Sequence, residues 1–353
     1  RKRLKMDIGL YIHIPFCLSK CYYCDFTSYA HSKEKYEPYV KALMNEIKAH
    51  GANVGRSLTV KTVFIGGGTP SVLPPILLGK IMKSLNDSFY IDEHVEYTIE
   101  SNPGTLSRDK LRIMKDYGVN RISMGAQAYQ NHFLKKIGRA HTWSQVKESY
   151  ELCRELGFDN INLDLMFGLP GQTMANWQET LEQIKGLGPD HISTYSLIIE
   201  EDTPFGRLYD NGELEPLDEE LERQMYHYAK DYLNQNGYQQ YEISNFAKPG
   251  KASQHNIDCW KVRPYIGMGL GAHSYFQESR YHNTDKMSGY IASSAQLSVI
   301  QKNKEKISLK AQIEEYMFLG LRLTDGISID DFEKKFNRSL KDVYGLQINK
   351  HKN

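Results

Sequence analysis

An α/β fold, with six strand-then-helix units curled into a partial barrel and a small helical domain after them, is what the sequence predicts. Three observations carry the prediction. Apolar stretches of strand length alternate with helically periodic ones six times before residue 237, which implies a parallel sheet covered by helices. Their even spacing favours a complete or partial barrel over an open doubly wound sheet, and no G-x-G-x-x-G opens the first helix as a dinucleotide-binding sheet would require. Finally, each strand carries a polar row on one face only, as a barrel wall with a polar interior needs.

The first unit starts at residues 8–16. In Tyr11-Ile-His13-Ile-Pro15-Phe16 the alternation sets Tyr11, His13 and Pro15 on one face and Ile12, Ile14 and Phe16 on the other. Tyr36, Tyr39, Val40, Leu43, Met44 and Ile47 then recur at helical spacing up to a stop at Gly51. Residues 62–65 run into Gly66-Gly67-Gly68-Thr69-Pro70 ahead of a helix over 76–89. The pattern repeats with strands at 97–100, 121–127, 161–167 and 191–199, and helices at 107–117, 143–156, 174–187 and 219–234. Gly118, Gly157, Gly188 and Gly237 end four of the helices, where a left-handed cap favours glycine. By parity, Thr98 and Glu100 share a face, as do Ser123, Gly125 and Gln127, and Asn162 and Asp164. If the apolar faces meet the helices, then Tyr11, His13, Glu100, Gln127 and Asp164 converge on the mouth of the barrel, where sites in such folds sit.

Beyond 237 the pattern loosens. Residues 241–249 read as a polar stretch, and the glycines of Gly267-Met-Gly-Leu-Gly271 imply close backbone approach to a neighbour or ligand. From Ser288 the chain reads as helical again, with Ile313, Met317, Gly320, Leu321, Ile327, Phe332 and Phe336 in period and Ser328 as a cap. The expected divisions are a barrel over 6–237, a barrel-completing segment over 238–287 and a helical domain over 288–353. Met6 reads as the native start, with residues 1–5 set aside from the fold.

Composition excludes several classes of function. Lys and Arg total 44 against 43 Asp and Glu, which leaves no footprint for non-specific nucleic-acid binding. No run approaches the eighteen or so apolar residues of a membrane span, so a cytoplasmic protein, peripheral to a membrane at most, is expected. Five cysteines, three of them within eight positions, make a poor disulfide framework and point to metal or cluster binding.

Cys17, Cys21 and Cys24 follow the first strand with C-x3-C-x2-C spacing. Three thiolates so placed can hold a [4Fe-4S] cube and leave one iron without a protein ligand. A zinc knuckle completed by His31 or Asp25 is the plainer alternative, because structural zinc is closed and four-coordinate. The glycine run has its own plain readings, a tight turn or a phosphate cradle, but it lacks the Gly-Lys-Ser/Thr ending of a nucleotide-hydrolysing loop.

C-x3-C-x-aromatic-C, with Tyr23 before Cys24, together with Gly66-Gly-Gly-Thr-Pro70, resembles the radical S-adenosylmethionine (SAM) superfamily. More narrowly, Tyr11-Ile-His-Ile-Pro-Phe-Cys17 resembles the oxygen-independent coproporphyrinogen III oxidase group and the haem chaperones related to it. The likeness continues through Glu100-Ser-Asn-Pro103, Ser123-Met-Gly-Ala-Gln127, Gly138-Arg139, the Asp164-to-Gly171 run and Gly267-Met-Gly-Leu-Gly271. It implies a partial (β/α)6 TIM-like barrel of the radical SAM type with a winged-helix-like C-terminal domain. It also implies a [4Fe-4S] cluster on Cys17, Cys21 and Cys24, whose open iron is chelated by the methionyl amino and carboxylate groups and whose electron cleaves SAM. Tyr11, Gly67 and Glu100 are implied as contacts of that SAM. Gly68, Thr69, Gln127, Arg139 and Asp164 match positions lining a second SAM or substrate site.

Departures from the oxidase pattern favour the chaperone branch. Those oxidases carry a further cysteine two places after the third, where this chain has Phe26, and a longer segment before the first strand. The chaperones show an H-N-x-x-Y-W signature linked to haem, matched here by His255-Asn256-Ile-Asp-Cys259-Trp260 with cysteine replacing tyrosine. His255 and Cys259 are then candidate iron ligands and Trp260 a ring face for the porphyrin. The plainer reading is that His255 and Asn256 tie down a loop and Trp260 anchors it; His13 is likewise open to being an ordinary core histidine. The resemblance implies a haem-binding protein that passes haem to acceptor proteins and draws on an electron donor for its cluster. An oxidase acting on coproporphyrinogen propionates is the rival, and a tRNA-modifying radical enzyme is disfavoured by the neutral charge.

Overall fold

The computed structural model describes residues 6–351. Arg1 to Lys5, set aside above, and the last two residues of the expected helical domain lie outside that range. Six parallel strands, β1 (Met6–Ile14), β2 (Leu58–Gly67), β3 (Ile91–Ser101), β4 (Arg121–Gln127), β5 (Ile161–Phe167) and β6 (His191–Ser196), stand side by side in chain order. The crossovers carry α1 (Tyr36–Val54), α2 (Pro75–Ser88), α3 (Arg108–Asp116), α4 (Trp143–Glu155) and α5 (Met174–Leu187), and α6 (Glu219–Gln235) follows β6. Alternate residues such as Ile12, Ile65, Ile99, Ile122 and Leu163 are fully buried with the helices in one core, so the polar rows face the interior as parity requires.

The helix that starts at Tyr36 overruns the expected stop at Gly51 and ends at Val54. Gly51 serves packing instead of capping. A Cβ there would sit 2.6 Å from Ser88 Cβ, so the glycine lets α1 pass close to the end of α2.

The sheet continues past the six units on both sides. Residues read as a polar stretch form an antiparallel hairpin, β7 (Gln239–Glu242) and β8 (Asn245–Ala247), whose second strand pairs with β6. After α7 (Gln254–Trp260), strand β9 (Tyr265–Met268) pairs in parallel with β1, and β10 (His273–Phe276), β11 (Ser279–Asn283) and β12 (Gln301–Lys306) add on antiparallel. The twelve-stranded sheet runs from β12 to β7 and is open between them. The glycine run 267–271 makes the close approach expected of it: a Cβ on Gly269, at φ +107°, would lie 2.5 Å from the His13 carbonyl oxygen.

The helical stretch expected from Ser288 is corrected. Met287 and Tyr290, on a short helix, are buried in the main core, and β12 extends the sheet. The three helices α8 (Leu309–Gly320), α9 (Ile329–Phe336) and α10 (Leu340–Lys350) instead share a separate core of Tyr316, Phe332 and Phe336 with Val262 and Tyr275. Ser328 caps α9 by accepting from the Asp331 amide. Among the described residues this segment adds no strand, only a bridge from Leu323 to Glu242, so the wing of a winged helix is not seen. No described helix is long and apolar enough to cross a membrane.

Candidate functional site

Chain direction places the cysteines at the C-terminal end of β1, and side chains from that strand fasten their loop. Phe16–Cys17 pairs with Tyr29–Ala30, closing a loop that carries Cys17, Cys21 and Cys24, all half-buried and free. His13 Nε2 lies 2.9 Å from the Thr27 carbonyl oxygen and its Nδ1 2.9 Å from the Tyr11 hydroxyl. Both contacts are met if Tyr11 donates to Nδ1 and Nε2–H donates to Thr27, the tautomer of a neutral ring, and burial lowers the His13 pKa in the same sense. His13 is therefore a satisfied buried histidine that latches the cysteine loop to the barrel.

The donor set fits an iron–sulfur cluster. Cys17 Sγ accepts from Thr69 Oγ1 at 3.6 Å and Cys21 Sγ from Arg139 Nη1 at 3.5 Å. Burial pushes the Cys24 thiol up to about 11 and Cys17 upward as well, so ionisation calls for a positive partner, which cluster iron supplies.

Above the polar strand faces, the loop walls a cavity of about 530 Å³. Gly67, Gly68, Thr69, Glu100, Gln127, Arg139 and Asp164 all line it, and Tyr11 stands one layer behind, its ring 6.3 Å from that of the lining residue Phe64. Gly67 has φ +113°, and a Cβ would fall 2.6 Å from the His13 ring; a Cβ on Gly68 would fall 3.0 Å from Cys17 Sγ. Only glycine leaves the backbone open at that edge. Gln127 holds φ +66° at a register shift between β4 and β5, a strained conformation of the kind kept where a side chain must be aimed.

Two carboxylates of the cavity are raised by burial. Burial, helped by Asp164, pushes Glu100 up to about 8, although Gly67 N–H donates to its Oε2 at 3.0 Å. Burial raises Asp164 too, against a hydrogen bond from Asn162 Nδ2 at 2.8 Å. Arg139 is half-buried and held: its Nη2 donates to Asn102 Oδ1 and to the Gly125 carbonyl, both at 2.7 Å.

His255, Cys259 and Trp260, the candidate haem ligands and ring face, do not line this cavity. Helix α7 closes the opposite end of the barrel. Glu96 on β3 caps it, accepting from Ser253 Oγ and from the amides of Gln254 and His255 at 3.1, 2.8 and 3.0 Å. His255, 8% exposed, has Nδ1 3.0 Å from Thr62 Oγ1 and its ring stacked 5.1 Å from Phe64. Burial pushes the Cys259 thiol up to about 12. Trp260 carries the Arg322 guanidinium 4.3 Å over its ring, at the junction with the helical domain. Of this stretch only Asn256 lines the cavity.

A model of the radical SAM superfamily matches residues 11–184, and a model of the HemN C-terminal domain matches residues 307–352. The heme chaperone HemW of Lactococcus lactis subsp. lactis is 40% identical over 98% of this chain and 89% of that protein. The heme chaperone HemW of Bacillus subtilis is 41% identical over 95% and 88%. The chain belongs to the HemW family of radical SAM proteins. Membership carries with it a [4Fe-4S] cluster and SAM, in keeping with the three thiols and the cavity beside them. Coproporphyrinogen III oxidase (HemN) from Escherichia coli, a radical SAM enzyme, superposes with a TM-score of 0.85 over 98% of this chain and 82% of that one; at 23% identity this shows the fold.

Within the family frame, sequence reading missed three features of the site. Asn102, which orients Arg139, lies inside the Glu100-to-Pro103 match and was legible there. Arg121 continues the parity row of Ser123, Gly125 and Gln127 one step deeper. Tyr195, near the end of β6, and Ile198, just past it, are exposed at the rim and give no local signal.

Proposed function

We propose that this protein binds haem at the cavity mouth and passes it to acceptor proteins, with a [4Fe-4S] cluster and SAM held just inside. The observation that carries this reading is the rim. Phe26, Tyr195 and Ile198 line the cavity yet are 63, 41 and 67% exposed, an apolar collar around a polar interior. A flat apolar macrocycle with charged edge groups matches that pattern. Phe26 also stands where the related oxidases carry a cysteine, and the names of relatives at 40% identity point the same way.

In this reading Cys17, Cys21 and Cys24 hold the cluster, which supplies an electron to SAM when both are bound. Gly67 and Gly68 let the methionyl group approach the backbone, while Glu100 and Asp164 accept from its ammonium or from ribose hydroxyls. Tyr11 and His13 keep the cysteine loop in place. His255 acts by fastening α7, and haem at the rim is out of its reach; ligation by His255 requires the helix to leave the barrel. The site of action is the cytoplasm and the electron donor a separate protein.

The test is anaerobic reconstitution of the chain, followed by haem titration beside coproporphyrinogen III turnover with SAM and reductant. A Soret band saturating at stoichiometric haem, weakened by Phe26→Asp and unmoved in position by His255→Ala, is expected, with no decarboxylated product. Turnover of coproporphyrinogen would replace this reading with the oxidase one.

A further inference from the structure

Two arginines line the cavity, and they differ in one respect. Arg139 spends its donors on Asn102, Gly125 and Cys21. Arg121 is only 2% exposed, and its side chain makes no hydrogen bond or ion pair with any described residue; its Nε is buried without a partner. Leaving a charged donor so placed is costly, by more than the loss of a neutral hydrogen bond. Thr98 Oγ1, at the matching register of the neighbouring strand, is buried and unpartnered as well.

The surroundings do not neutralise the charge. His191 and His255 beside it are held neutral by burial and then by Arg121 itself, His255 down to about 4. His191 is already bonded to Asn162 and Tyr241. Glu100 and Asp164 feel Arg121 but form no ion pair with it, and a cation bound above would draw on those same carboxylates.

We propose that the deep end of the cavity is a carboxylate-binding pocket in which Arg121, with Thr98 beside it, receives an acid group of the ligand that fills the cavity. A guanidinium fork grips a carboxylate through two parallel hydrogen bonds. Glu100, read above as a partner of the methionyl group, pairs with Ser123 only two positions from Arg121, and both line the one cavity. The resemblance gives the methionyl carboxylate to the open iron of the cluster, which would leave Arg121 to another acid group. That group belongs to a second ligand, and, resting on the haem reading above, is a porphyrin propionate entering edge first.

Haem and haem dimethyl ester, titrated separately into the reconstituted protein, test the pocket, with SAM binding read from the cluster spectrum. The wild type should prefer haem over its diester about tenfold or more; Arg121→Gln should erase the preference and Arg121→Lys restore part of it, while SAM affinity, read on its plateau at high pH where Glu100 is ionised, stays within about twofold. Preference surviving in Arg121→Gln would overturn the proposal. So would a SAM affinity that falls tenfold while haem preference holds, which would give Arg121 to the methionyl carboxylate. If Arg121→Gln does not fold, free propionate should compete with haem in the wild type and propionamide should not; equal effects of the two overturn the pocket. If neither porphyrin binds, the haem reading fails alone, and the pocket stands or falls on whether propionate, but not propionamide at equal ionic strength, raises the wild-type Tm.

Discussion

The two ends of the barrel treat their polar groups in opposite ways. At the floor, apart from Arg121 and Thr98, the donors and acceptors around α7 are consumed by one another: Glu96 takes three donors from the start of α7, His255 meets Thr62, and His191 bridges Asn162 and Tyr241. At the mouth, three thiols are free, two carboxylates are buried above their ordinary range, and glycines keep the backbone edge open. A buried polar group left unpaired costs stability, so a cluster of them on one side of a barrel marks where a ligand completes the structure. On the reading proposed above, the resemblance at residues 255–260 and that at residues 17–24 differ in kind, the first a fastening and the second a site.

Breaking the mouth should cost function without costing the fold. Alanine at Cys17, Cys21 or Cys24 is expected to abolish the [4Fe-4S] absorbance of anaerobically reconstituted protein, whereas alanine at Cys153 or Cys259 should leave it. Thermal melting of the unreconstituted Cys→Ala variants should stay close to wild type, because these side chains are half-buried on a loop. A large fall in Tm would make the loop part of the folding core and erase the contrast.

The second effect is a pH dependence with a definite sign. Glu100, raised to about 8 by burial, must release its proton before it can face a cation. SAM affinity, read from the cluster spectrum, should rise about tenfold per pH unit below 8 and flatten above it, and Glu100→Gln should remove the slope. Ligand-free protein should show the converse linkage. Between the ordinary carboxylate range and 8 the unfolded chain releases a proton that the folded one keeps, so this group's contribution to stability declines as pH rises through that window. A SAM affinity flat across it would mean that the carboxylate does not meet the cation.

Third comes the floor. His255→Ala removes a buried ring, its contact with Thr62 and its stacking on Phe64, a loss of about 2–3 kcal/mol. Calorimetry should show a fall in Tm of several degrees. Cluster content should be unchanged, which separates the fastening from the site.

Much of this was legible in the residues, for identifiable reasons. Strands 121–127 and 161–167 match their predicted spans because both faces are buried and their boundaries fall at turns. The converging polar row was readable because strand parity survives folding. What failed lies at the sheet's ends. β12 reads Gln-Lys-Asn-Lys-Glu-Lys, an edge strand kept polar on its exposed side, and it shows no apolar alternation. The hairpin β7–β8 is short and carries buried Glu242 and Asn245, which bond to each other and so pass for loop residues in sequence. The role of His255 was illegible because its partner Thr62 lies 193 positions away, and a motif records residues without recording which end of a barrel they face.

The smallest effect sharpens the contrast most. Glu96→Gln keeps the size of the group that caps α7 and removes its charge, which the helix's first amides and N-terminal dipole favour; the expected loss is about 1 kcal/mol. Because α7 carries both His255 under the barrel and Trp260 against the helical domain, loosening its start should increase hydrogen exchange of the amides over 254–260 and at the Arg322 junction. The cysteine loop is held from the other end by His13, Tyr11 and Thr27, so exchange over residues 18–28 should stay as in the wild type. Equal loosening at both ends would show that the barrel transmits the change along its strands and would undo the division between fastening and site.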